Sequence, residues 1–154
     1  MRTLLQIAFA LIVAAGISVC GDNNTYSPSF LTPGTPDFTV SAAPPSNNAT
    51  QGNPTNYTVT VTSIAGFAAP LTLSVSGLPA GAAGSFSTNP VTPTANGANS
   101  TLNITTTGGN NPTPVGSYTL TITASGGNIT HQTTVTLVID AAPPTQGGLN
   151  GTIQ

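Results

Sequence analysis

Residues 57–62 read YTVTVT, and this alternation of apolar and hydroxyl side chains decides the fold of the chain. It returns in LTLSVS at 71–76, YTLTIT at 118–123 and TTVTLVI at 133–139, and in shorter form in FTVS at 38–41 and LNIT at 102–105. Because successive side chains of a strand point to opposite faces, each run has one apolar and one polar face. Thr is β-branched and suits a pleated surface. The pattern predicts strands and essentially no helix between residues 37 and 140.

Turn-forming residues separate these runs, for example in GLPAG at 77–81 and GGN at 126–128. We predict seven strands, at about 38–42, 56–63, 71–76, 84–87, 100–105, 117–124 and 129–139. One-faced alternation implies antiparallel sheets, and each sheet needs an apolar partner. Two such sheets packed face to face over about 100 residues form an immunoglobulin-like β-sandwich, so the predicted fold class is all-β.

The apolar phase of the strands predicts the residues of the core. These are Phe38, Val40, Tyr57, Val59, Val61, Leu71, Leu73, Val75, Leu78, Phe86, Leu102, Ile104, Tyr118, Leu120, Ile122, Val135, Leu137 and Ile139.

The composition excludes several classes of function. The chain of 154 residues has one basic side chain and three acidic ones, a single His and a single Cys. Nucleic-acid binding needs Lys and Arg to neutralise phosphates, so no nucleic-acid partner is expected. One His and one Cys do not build a zinc site, and a P-loop lacks its Lys. The only candidate base for a Ser-His-Asp triad is His131, and no G-x-S-x-G motif is present. We therefore expect no enzyme activity, no metal and no cofactor.

The first twenty residues are typical of a secretory signal peptide. Arg2 precedes an apolar stretch that is shorter than a membrane-spanning helix needs, and small residues follow. The segment ends in ISVCG, which resembles a bacterial lipobox and implies that Cys20 becomes a lipidated N-terminus. Val19 departs from the small residue that a lipobox prefers before the cysteine. Cleavage of a plain secretory signal after Ser18 or Cys20 and an uncleaved N-terminal anchor are the alternatives.

Three further segments follow the predicted signal peptide. Residues 21–36 are rich in Pro, Asn and Thr without an apolar period, and we interpret them as a flexible linker. The sandwich is predicted over 37–140. Residues 141–154 contain Pro143-Pro144 and three glycines, which predict a disordered tail.

Several motifs resemble a bacterial family of Ig-like (fibronectin III-like) modules in secreted and surface proteins. They are PDFT at 36–39, YTV at 57–59, LSVSGLPAG at 73–81, SFS at 85–87 and PVGSYTLTI at 114–122, followed by a terminal TVTLV. The resemblance covers residues 36–140. It implies a β-sandwich that serves mostly as a spacer, a stalk or an accessory module beside enzymes and adhesins. We expect no catalytic domain beside this module, which would depart from the commonest arrangement of the family.

Three single residues have competing interpretations. Phe67 is a candidate binding contact, because it lies in a loop and carbohydrate sites need exposed aromatic rings; the alternative is that it caps the end of the sandwich. His131 is either a lone ligand or a partly solvated residue near the end of a sheet. The resemblance implies that Tyr118 forms a tyrosine-corner contact with local backbone. Asp37 and Asp140 are too few for an expected calcium site.

The predicted function is therefore a non-catalytic, exported lipoprotein of the cell surface. It would be held at the membrane through Cys20 and would act as a structural, spacer or adhesion module. Its partners would be a cell-surface protein or a polysaccharide. A carbohydrate-binding or enzyme-accessory module is the alternative function, and plain secretion is the alternative localisation.

Overall fold

The computed structural model describes residues 34–144 of the chain. The predicted signal peptide with Cys20, most of the predicted linker and the tail from residue 145 lie outside the described residues. No helix in the described part is long and apolar enough to span a membrane.

Eight β-strands make up the described part, and no helix occurs in it. They are β1 (Asp37–Ala43), β2 (Ser46–Thr50), β3 (Thr55–Ile64), β4 (Thr72–Ser76), β5 (Ala83–Phe86), β6 (Ala98–Thr105), β7 (Gly116–Gly126) and β8 (Ile129–Asp140). The all-β prediction is confirmed.

The strands form two four-stranded sheets, in the orders β1-β3-β6-β5 and β2-β8-β7-β4. This arrangement is that of an immunoglobulin-like sandwich in which the first strand is divided between the two sheets. The register places Val59 of β3 between Ala42 of β1 and Ser100 of β6. In the second sheet, Ile122 of β7 lies between Val75 of β4 and Thr133 of β8.

The prediction of seven strands missed β2. Its sequence, SNNAT, has no apolar alternation, and only Ala49 turns into the core. β2 pairs with Thr136–Asp140 of β8 in parallel, which corrects the expectation of purely antiparallel sheets. Pro44 and Pro45 precede it and offer no N–H to the ladder of β1, so the chain leaves the first sheet there and joins the second.

The two inner faces form one core, and every residue predicted for it is either buried or packed against it. Four buried apolar residues were not predicted. Phe67 and Val91 lie in loops, Ala49 lies on the missed strand β2, and Ala124 is a small residue of β7. The phenol of Tyr57 crosses the core and donates a hydrogen bond to the carbonyl of Thr136 at 2.7 Å. Burial raises the pKa of this phenol.

Two local features that the sequence indicated are present: a hairpin turn, which lies one residue later than Gly126-Gly127, and the backbone contact of Tyr118. The hairpin between β7 and β8 turns at Gly127 and Asn128, both with positive φ, as a two-residue hairpin turn requires. The hydroxyl of Tyr118 donates a hydrogen bond to the carbonyl of Pro114 at 3.0 Å, which is the tyrosine-corner contact.

Candidate functional site

The candidate site lies where β1 begins in one sheet and β8 begins in the other. Antiparallel pairing puts the starts of β1 and β8, the end of β3 and the loop after β3 at one end of the sandwich. The only His of the chain and one of its three Asp side chains meet there, because the start of β8 extends beyond its pairing with β2 and faces β1 across the sandwich. Neither spacing nor periodicity in the sequence could predict this contact, because 94 positions separate His131 from Asp37.

A contact between His131 and Asp37 joins the two sheets at this point, and it is an ion pair when His131 is protonated. Nε2 of His131 lies 2.7 Å from Oδ1 of Asp37, and the two side chains are 39% and 40% exposed. The same Oδ1 accepts a hydrogen bond from the N–H of Phe38 at 2.7 Å. The His131 imidazole, followed by the Phe38 N–H, holds the pKa of the Asp37 carboxyl below its ordinary value. Water screens a pair of this exposure, so its contribution to stability is small.

Aromatic rings pack beneath the ion pair. The rings of Phe38 and His131 meet edge to face, with centroids 4.8 Å apart. Phe67 also packs against Phe38, with ring centroids 5.2 Å apart. Such tilted and edge-on arrangements are those that aromatic quadrupoles favour. The cluster fixes the start of β1 over the start of β8.

Phe67 is 7% exposed and belongs to the core, so its ring is not a surface contact. The loop that carries it folds over the end of the sandwich, where its N–H donates to the carbonyl of Ile64 at 3.1 Å and its carbonyl accepts from the hydroxyl of Ser63 at 2.7 Å. The interpretation of Phe67 as an end cap is therefore the one that the structure supports. The sequence AGFAA around it contains small residues alone, and this left its burial undecided.

A shallow surface depression of about 210 Å³ opens beside the ion pair. Phe38, Val40 and Ile64 give it apolar walls, and Asp37, His131 and Gln132 line the rest together with Thr39. Ile64 is 43% exposed, and it is one of two large apolar side chains that the described residues leave open to solvent. Apolar and polar side chains thus share the lining of this depression.

The second carboxylate of the described part lies at the opposite end. Asp140 closes β8 and accepts a hydrogen bond from Nδ2 of Asn48 at 3.0 Å. The carboxylates of Asp37 and Asp140 are thus at opposite ends of one sandwich. Between residues 34 and 144, no group of three or more His, Cys, Asp or Glu side chains is placed to hold a metal ion.

Solved structures that are similar to this chain include domains of a surface layer protein and of titin. A six-domain structure of the surface layer protein SbsC aligns with a TM-score of 0.50 and 17% identity, over 71% of this chain and 14% of that one. SbsC domains 4 and 5 align with 0.49 and 17%, over 68% of this chain and 53% of that one. A chimeric titin Z1Z2 aligns with 0.40 and 14%, over 70% of this chain and 99% of that one.

The chain thus spans about half of the two-domain SbsC fragment and a seventh of the six-domain one. No curated protein matches it. A family model matches residues 38–141, from the start of β1 to just beyond β8, and that range is most of the chain. The chain therefore belongs to the family of unknown function DUF5980.

Proposed function

We propose that the chain is a non-catalytic module of the cell surface that acts as a spacer and presents a rigid sandwich to a partner. The observation that carries this proposal is the position of the two ends of the sandwich. The first strand begins at Asp37 at one end, and the last strand ends at Asp140 at the other. A chain that enters at one end and leaves at the other adds the full length of the sandwich to its reach.

The surface between these ends supports the same proposal. On the outer face of the second sheet, the register sets Ser74 beside Thr123 and Gln132, and Ser76 beside Thr121 and Thr134. These side chains are polar and uncharged. Such a surface stays soluble without ions and changes little with ionic strength, because it has few charges to screen. A partner would meet hydroxyls, amides and main chain rather than charge.

The proposed attachment is an acyl chain on Cys20, with residues 21–36 as the linker below the sandwich. A lipobox-like ISVCG, an exported chain with one Cys, and a following Pro-rich segment support it. One acyl chain alone gives marginal membrane binding, so stable anchoring needs the multiple acylation of a bacterial lipoprotein. A domain of the same fold in a surface layer protein shows that the fold is used in a cell-surface setting.

Metabolic labelling tests the attachment. Cells that express the full chain with a C-terminal epitope are grown with labelled palmitate, and the chain is isolated through the epitope. We expect label on the wild type and none on Cys20→Ala, with Ser18→Ala as a matched control that keeps the label. An unlabelled wild type, or equal label on Cys20→Ala, would overturn the lipid anchor.

Accessibility of the epitope on intact cells tests surface display separately. We expect an impermeant antibody to bind cells that carry the wild type, and Cys20→Ala to appear in the medium or periplasm instead. Antibody binding only after the cells are permeabilised would count against a cell-surface module, whatever the labelling shows.

A further inference from the structure

The outer edge of β8 is covered along only half of its length. β2 pairs with Thr136–Asp140, and Pro45 accepts a hydrogen bond from the N–H of Thr136 at 2.9 Å. The backbone groups of Thr136 therefore point away from β7. Since N–H and C=O groups of a strand alternate with period two, those of Thr130, Gln132 and Thr134 point outward as well. None of these groups has a backbone partner among residues 34–144.

Nothing in the sequence of this half-edge protects it from pairing. Natural proteins block open edges with charges, Pro residues, bulges or a covering segment. Residues 129–135 read ITHQTTV, with no Pro, Gly or carboxylate. Their one titratable side chain, His131, turns towards Asp37 of β1. The segment is thus a regular strand whose outer side has no strand partner among residues 34–144 over about five residues.

The depression described above lies directly beside this edge, since Gln132 and His131 line it. A strand added next to β8 would direct every second side chain towards the inner side of the sandwich. There it would meet Phe38, Val40 and Ile64 of the first sheet. Main-chain hydrogen bonds to an edge and a pocket for alternate side chains are the two parts of recognition by strand addition.

We propose that the open half of β8 binds an extended, uncharged peptide segment of a partner protein, with an aliphatic side chain in the depression. This inference rests on the proposed function as an interaction module and names its binding edge. The added segment would lie beside residues 130–134 of β8, in line with β2. Pro45 would limit this binding slot at one end. A pairing of five residues covers far less than the roughly 1,200 Å² of a stable interface, so a second copy of the chain fits this slot less well than a short peptide.

Titration of the whole, isotopically labelled chain with synthetic peptides tests the proposal. The probe is an acetylated and amidated heptapeptide that alternates Thr with Val, compared with one that alternates Thr with Asp. We expect saturable shifts of the amide signals of Thr130, Gln132 and Thr134 with the first peptide and much weaker ones with the second. No saturable shift, or shifts centred on another strand, would overturn the proposal.

N-methylation of the peptide provides a matched control. One version carries methyl groups on the odd-numbered amides and the other on the even-numbered amides. Only one set of amides faces β8 in an added strand, so one version should lose binding and the other should keep it. Equal binding of both versions would exclude strand addition.

Variants of the chain supply the second half of the test. Gln132→Pro removes an outward N–H without touching the ladder to β7, and we expect it to weaken binding about fivefold, which corresponds to the roughly 1 kcal/mol that one hydrogen bond contributes. Ile64→Thr should weaken binding by about threefold to tenfold through the lost apolar contact. Val115→Thr is its control, because Val115 is also apolar, is 55% exposed and adjoins Gly116, which pairs with Ile139 at the other end of β8.

Folding of each variant is checked by its thermal unfolding and by the amide signals of β7. A Gln132→Pro chain that is folded and binds as tightly as the wild type would contradict the proposal, and the Ile64→Thr result stands independently of it. Concentration-dependent dimers that involve the same amides without peptide would assign the edge to a second copy instead. If the chain binds the peptide but is not displayed on cells, the binding edge stands and the surface function is refuted. If the chain is displayed but does not bind the peptide, the surface function stands and the binding edge is refuted.

Discussion

The two lateral edges of the sheet β2-β8-β7-β4 are built in opposite ways. At the β4 edge, a loop segment lies alongside the strand and satisfies its outward backbone groups. Val91 exchanges two backbone hydrogen bonds with Leu71, at 2.8 and 2.9 Å. The carboxamide of Asn89 then takes the place of a neighbouring peptide group, because it accepts from the N–H of Leu73 at 2.9 Å and donates to its carbonyl at 2.8 Å.

At the β8 edge, by contrast, the pairing with β2 ends at Thr136, and five residues of β8 have no strand partner on their outer side in the part of the chain that the structure describes. The difference shows that this chain does not close its edges by charge, as it has almost none to use. The β4 edge is closed by the Asn89 amide and by the backbone pair of Leu71 and Val91. Part of the β8 edge is closed by the short parallel strand β2. An edge left open in a protein that has such a means of closing edges is a candidate for a binding surface.

Among these predictions, Gly126→Ala should cause the largest loss of stability, because its new methyl group would push against the residues that precede β4 at the capped edge. A Cβ at this position would meet the carbonyl oxygen of Pro70 and the side chain of Leu71. We expect a loss of about 2–3 kcal/mol in the free energy of unfolding, as for overpacking of a close-packed site. Urea denaturation measures it. Gly66→Ala is the control, since Gly66 has positive φ but open space, and should cost about 1 kcal/mol.

Asn89→Ala should convert the capped edge into an open one. Leu73 loses the partners of its N–H and its carbonyl, so we expect a loss of about 1–2 kcal/mol in stability. Sedimentation at rising protein concentration should also detect new self-association through β4. Asn96→Ala, in the same connecting segment, should change neither property. An Asn89→Ala chain that is as stable and as monomeric as the wild type would show that the cap is unimportant.

Tyr57→Phe should weaken the covered half of the β8 edge. The hydroxyl of Tyr57 donates to the carbonyl of Thr136, where β2 begins its pairing. Loss of a buried neutral hydrogen bond predicts a decrease of about 1 kcal/mol in stability. Hydrogen exchange should speed up at the amides that join β2 to β8 more than at those that join β7 to β8. A uniform change over both ladders would mean that the phenol stabilises the core rather than the edge.

The smallest expected effect is a dependence on pH at the open end. The pKa of Asp37 is lower in the folded state than its ordinary value of 3.8, so the ionised carboxylate stabilises the fold. This contribution is present above a pH of about 4 and is lost as the pH falls through the lowered pKa. The melting temperature of the wild type should therefore fall in acid more steeply than that of Asp37→Asn. Parallel curves for the two chains would show that the pair contributes nothing.

Much of the fold follows from local pattern. The alternation in 57–62, 71–76 and 118–123 predicted the strands, the face that each strand buries and the sandwich itself, because period-two burial is a property of each segment alone. β2 could not be predicted in this way. Residues 46–50 become a strand only because β8 offers them an unpaired edge, and that edge exists only in the folded chain.

The candidate site was the least predictable part. The sequence indicated His131 and Phe67 as residues to weigh, but it did not reveal that His131 pairs with Asp37 or that Phe67 closes the core. The role of Asn89 had no signal either, since a lone Asn before Pro reads as an ordinary turn residue. In each case the partner lies in another strand or loop.

By itself, then, the sequence determined a Thr-rich all-β sandwich with few charges and with its core residues, and the family resemblance implied its tyrosine corner. These properties depend on the period of apolar residues and on contacts a few positions apart. The tertiary structure alone decided which sheet edges are covered, where the His131–Asp37 pair forms and which residues line the depression. These features depend on which strands become neighbours, and the free energy of that pairing is shared by residues far apart in the chain.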